Sequence, residues 1–143
     1  MSSHYESATL LLRLYELRRE ETMREARTWY ARHFNPSSVD DVIQALQGPN
    51  SAHFRMVTSY WDMAASFVNH GAIDEAMFND ANGEHILIFA KIEPFVEAYR
   101  ARTGLPHYLG HLEKLLMKMP GMKERLAATR ERFRALAAAA AAR

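Results

Sequence analysis

The chain has 143 residues, 48% hydrophobic and 24% charged, with six glycines, five prolines and no cysteine. That length allows one core without covalent staples, and the lack of cysteine excludes thiol nucleophiles, disulfides and cysteine-ligated metals. Eighteen Lys and Arg against seventeen Asp and Glu leave a net charge of +1, too little for an overall field that favours nucleic acid or acidic lipid.

From about Tyr5 to Phe34 there is neither Gly nor Pro, and Arg13, Glu16, Glu20, Arg24 and Arg27 recur at spacings of three and four. This predicts one long N-terminal helix with a solvated charged stripe, away from which Leu11, Leu14, Met23, Ala26 and Tyr30 lie. Asn35-Pro36 ends it, because proline disfavours the α conformation in the residue before it. Ser38 followed by Asp41 resembles a capping box with a shorter acid, opening a short helix that stops at Gly48-Pro49.

Asn50 or Ser51 then caps a third helix. Phe54, Val57, Trp61, Ala64 and Val68 form one apolar stripe on it, and Met56, Tyr60, Met63 and Phe67 a second. A helix apolar on nearly two sides belongs inside a bundle, so residues 54–68 are expected to be the most buried segment. Gly71 closes it, and Asp74 caps a short turn through Phe78. His85 to Phe89 has a strand-like composition, but Ile88, Ile92, Phe95 and Tyr99 continue it at helical spacing, which favours helix. Pro94 cannot donate to Ala90, so this helix kinks or restarts there. After Thr103-Gly104-Leu105-Pro106 helix resumes at about His107 and runs to Met119-Pro120-Gly121. A last, Ala-rich helix follows from about Met122, with Met122, Leu126, Thr129, Phe133, Leu136 and Ala140 on a near-heptad seam.

Charge is uneven along the chain: +1 over residues 1–34, −5 over 35–104 and +5 over 105–143. A basic end packed against an acidic middle, within one molecule or across a dimer, accounts for this. Lys123, Arg125, Arg130, Arg132 and Arg134 would also attract phosphate, but the aromatic interleaving of a single-strand platform is missing, which disfavours nucleic acid. No stretch approaches the roughly 20 apolar residues of a membrane span. No signal peptide is readable before Arg13, so the expected location is cytoplasmic.

Seven histidines invite a metal reading, yet His107 and His111 are the only pair four residues apart, and neither the zincin nor the di-iron pattern occurs. No metal or cofactor is expected. No nucleophile-elbow or phosphate-loop motif is present, so no catalytic residue is assigned. Asp62 is the one acid in the most apolar helix and must find a donor, for which Arg100 or Arg102 is an ion-pair candidate. With Tyr60, Asn69, His70 and Arg100 it forms the candidate ligand-binding set.

The stretch Tyr60-Trp61-Asp62-Met63-Ala64-Ala65-Ser66-Phe67-Val68-Asn69-His70-Gly71-Ala72-Ile73-Asp74-Glu75-Ala76-Met77-Phe78, followed by Ile92-Glu93-Pro94-Phe95 and Arg100, resembles an uncharacterised family of bacterial helical proteins, a domain of unknown function. The likeness covers roughly residues 40–102. Many members are membrane-anchored at the N-terminus, where this chain has a charged amphipathic helix. The resemblance implies a helical fold and no established activity, so it transfers no catalytic residue.

Together these observations predict an all-α, single-domain irregular bundle of five to seven helices over residues 1–143. Its expected role is a non-catalytic binding or assembly module, homodimeric through the seam at 122–140. The alternatives are a ligand-binding or enzymatic bundle with a pocket near Asp62 and His70, and nucleic-acid binding through the basic C-terminal helix.

Overall fold

A computed structural model describes all residues from Met1 to Arg143. It is all-α: α1 (His4–Arg18), α2 (Glu21–Arg32), α3 (Val39–Gln47), α4 (Ser51–Asn69), α5 (Glu75–Ala81), α6 (Glu84–Ile92), a 3-10 turn (Glu93–Phe95), α7 (Val96–Thr103), α8 (Gly110–Met117) and α9 (Met122–Ala141). No helix is long and apolar enough to cross a membrane.

Nine helices replace the expected five to seven, and two local events account for the excess. The long N-terminal helix divides at Arg19-Glu20. Glu20 adopts an extended conformation, φ −61° and ψ 142°, and its own carboxylate accepts the amides of Thr22 and Met23 at 3.2 and 3.1 Å. Those two bonds satisfy first-turn donors of α2 and hold the Glu20 carboxyl below its ordinary pKa, so the chain turns with neither Gly nor Pro. At Pro94 the expected break is a 3-10 turn from which α7 restarts. Ser38 caps α3 through the Asp41 amide at 3.2 Å, but the Asp41 carboxylate returns to the Ser37 amide and hydroxyl, one residue earlier than in a capping box.

α4 runs through the middle, packed against α2, α3, α5, α6 and α8. Its first stripe, Phe54, Val57, Trp61, Ala64 and Val68, is buried throughout. The second stripe is only half so: Tyr60 is buried, Met56 and Phe67 partly, and Met63 is 39% exposed. The densest burial belongs instead to α6, where seven of nine residues are inside. Aromatic contacts thread the core from Tyr30 and Phe34 through Phe54 and Tyr99 to Tyr108. α1 is pinned on one flank, where the Asp74 amide donates to Ser7 Oγ at 2.9 Å and Tyr60 donates to the Leu14 carbonyl.

The basic end does meet the acidic middle, through Lys118–Glu75 and Arg130–Glu93. On α9 the seam is used within the molecule for its first turns: Met122 and Leu126 are buried and Phe133 partly, against α6 and α8. Leu136, 56% exposed, and Ala140 lie beyond that contact.

Candidate functional site

The polar seam of α4 carries Asp62 toward α8. Its Oδ1 accepts the Leu112 amide at 3.0 Å. This amide is one of the orphan donors in the first turn of α8, and Leu109, which precedes that helix, has no side chain able to cap it. Asp62 therefore caps α8 from a neighbouring helix, and the ion pair expected with Arg100 or Arg102 is not formed. Two turns further along α4, Asn69 Nδ2 donates to the His111 carbonyl at 3.0 Å. His70 turns back on its own helix, with Nδ1 2.8 Å from the Ser66 carbonyl, and its ring centroid lies 6.1 Å from that of His111.

Arg100 addresses the loop before α8. Its Nε and one Nη both donate to the Tyr108 carbonyl, at 2.9 and 2.7 Å, and the guanidinium also pairs with Glu97 and Glu113. Arg102 pairs with Asp40. Tyr60 stands apart: its hydroxyl donates to Leu14 at 2.6 Å on the α1 side, and burial pushes its pKa up to about 12. Of the five candidates, then, Asp62, Asn69, His70 and Arg100 gather along α8 and its approach, while Tyr60 serves the opposite packing face. His107 precedes α8 and His111 lies within it, so the two imidazoles do not share a helical turn. No cluster of three or more His, Asp or Glu stands close enough to hold a metal ion.

What Asp62 and Arg100 jointly shape is a groove between α3, α4 and the 104–109 loop, a cavity of about 460 Å³. Phe54, Tyr99 and Leu109 line it with apolar surface, and Arg55, Ser59, Asp62 and His107 supply polar groups. Two features of this loop escape sequence reading. Leu109 is the one non-glycine residue with positive φ, at 55°, a conformation costing roughly 1 kcal/mol or more that must be held by its surroundings. Its buried side chain and the two Arg100 bonds to the adjacent carbonyl hold it. Tyr108 carries a buried hydroxyl that completes no hydrogen bond of ordinary geometry although the Thr58 and Tyr99 hydroxyls lie beside it, and burial pushes its pKa well up. The strained turn, this hydroxyl and the amphipathic cavity lie side by side.

A family model described as "Domain of unknown function (DUF4760)" matches residues 4–119. The chain belongs to this family. The DUF4760 match takes in α1 to α8, and so the whole groove, and it extends beyond the residues 40–102 on which the resemblance was read. It stops short of α9. No curated protein and no solved structure matches the chain.

Proposed function

We propose that this DUF4760 chain is a non-catalytic binding module of the cytoplasm whose ligand occupies the groove between α3, α4 and the 104–109 loop. The observation that carries this reading is an apolar-floored cavity of about 460 Å³, a volume within the usual range for small-ligand sites, beside a buried Tyr108 hydroxyl that forms no hydrogen bond of ordinary geometry with the neighbouring Thr58 and Tyr99. The ligand it fits has an apolar body and one group that hydrogen-bonds Tyr108. A non-catalytic role is supported by where the neighbouring hydroxyls go: Thr58 donates to the Phe54 carbonyl and Ser59 to that of Met56, and neither meets a histidine or carboxylate.

The test is a 15N-resolved NMR titration with pooled apolar fragments bearing a hydroxyl, amide or carboxylate. Hits are expected to shift the amides of Ser59, Leu105, Tyr108 and Leu109 together, and Tyr108→Phe is expected to weaken the best hit about tenfold, the effect of one hydrogen bond to a buried group. Shifts scattered over other faces, or unaltered affinity in Tyr108→Phe, would remove the reading.

The assembly role rests on a different observation. Leu136 remains exposed on the near-heptad α9 seam beyond the turns that pack within the molecule, and the same seam of a second copy would cover it. A dimer mass is expected by light scattering at micromolar concentration, reverting to monomer in Leu136→Glu. A monomer mass for the unmodified chain would end the proposal.

A further inference from the structure

Lys91 is the charged side chain buried most deeply in the molecule, at 6% exposure. Its Nζ donates to the carbonyls of Tyr30, Ala31 and Phe34 at 2.8, 3.0 and 2.7 Å, with Asn35 Oδ1 at 3.3 Å. The first two are orphan acceptors in the last turn of α2 and the third follows just past its cap, at the end of a helix dipole where a cation belongs. The hydrogen bonds are thereby satisfied, but the charge is not: no carboxylate pairs with Lys91. Burial draws its pKa down to about 8, so at neutral pH it remains largely an ammonium.

The other charged groups around it are two arginines, each paired with one carboxylate. A cavity of about 240 Å³ lies over Lys91, lined by Asn35, Ser37, Arg130, Phe133 and Arg134. Arg130 uses one terminal nitrogen for the Ala90 carbonyl and Glu93, and Arg134 one for Glu131. Each keeps its Nε and second terminal nitrogen uncommitted. Glu93 and Glu131 do not line the cavity, and Asp41, the acid nearest its Ser37 rim, is occupied with the Ser37 amide and hydroxyl. One cation without a counter-ion and two arginines whose carboxylate partners lie outside the lining thus border one small cavity, and Phe133 forms its apolar wall 5.8 Å from the ammonium.

We infer that the cavity bounded by Lys91, Arg130, Arg134 and Phe133 is a binding site for a small oxyanion, a phosphate or carboxylate group carried by a small organic molecule. A guanidinium matches the geometry of such groups with two parallel N–H donors, and a buried cation without a counter-ion gains from an anion beside it. Its volume is several times the roughly 30 Å³ share of one water molecule, enough for the anionic head and part of an attached body. Lys91 lies within the family-matched residues, whereas Arg130, Phe133 and Arg134 stand on α9 outside them, so the site is completed by a helix the family match does not include. It is separate from the groove at Tyr108.

The experiment titrates inorganic phosphate, and in a second arm acetate, into the full chain by calorimetry at constant ionic strength, with chloride as reference. Saturable binding of either oxyanion is expected, with phosphate alone or acetate alone identifying the preferred head group. Arg134→Glu, at a side chain 56% exposed and outside the core, is expected to raise the Kd at least tenfold. Arg125→Glu, which lines the neighbouring cavity between α6 and α9, is expected to leave it within twofold. The proposal is overturned if neither oxyanion binds beyond chloride, if Arg134→Glu binds as the unmodified chain does, or if Arg125→Glu weakens binding equally, which would mark a general attraction to a basic helix.

Discussion

Replacing Lys91 with methionine is expected to lower the stability of the fold by about 3 kcal/mol, the usual scale for leaving buried polar groups without their charged partner. Methionine fills much of the same space, so the loss is not one of packing volume. It arises because the carbonyls of Tyr30, Ala31 and Phe34 lose their common charged donor. Urea denaturation at pH 7 measures the effect, read as a lower midpoint at unchanged slope. A variant as stable as the unmodified chain would show that α2 finishes equally well without the ammonium.

The second large effect is one of pH. His85 is 1% exposed, packed between the rings of Trp61 and Phe78, and neither of its nitrogens has a hydrogen-bond partner. Burial, reinforced by Arg125 and Arg18, lowers its pKa from 6.5 to about 4. Because this value is depressed in the folded state, the unfolded chain binds the proton first as pH falls. Stability is therefore full above about pH 6.5 and declines between there and pH 4, by about 3 kcal/mol at the lower limit. His85→Phe keeps an aromatic ring in the space and removes the titration. The difference in unfolding free energy between the two proteins is expected to shift by that amount between pH 7 and pH 4 in favour of the variant. Parallel stability curves would mean that His85 reaches water or a proton acceptor in solution.

Periodicity made much of the architecture legible. The stripe from Phe54 to Val68 reads as core because residues three and four apart share one face of a helix, and its burial follows. The composition from His85 to Phe89 suits strand or helix alike, only the continuation through Ile92 favours helix, and the structure is helical there. The division at Glu20 was not legible, because nothing in the local composition distinguishes a glutamate that caps its own helix from one that decorates a surface. Asp62 stood out as an acid in an apolar helix, but its partner is the Leu112 amide, and every residue except proline carries such a group. Arg100 is a related case, since besides Glu97 and Glu113 it answers a backbone carbonyl that no residue type signals. Lys91 and His85 were hidden within an apolar run, where a single polar residue reads as an edge of the pattern rather than as a buried centre.

The left-handed turn at Leu109 sets two requirements against each other. Its backbone suits glycine, and its side chain, 3% exposed, belongs to the floor of the groove. Glycine would relieve roughly 1 kcal/mol of torsional cost while vacating a leucine-sized volume worth roughly 2–5 kcal/mol. The trade runs against relaxation, so the packing of the leucine side chain holds the backbone in a conformation its dihedral preferences oppose, and the same side chain fixes the floor of the groove.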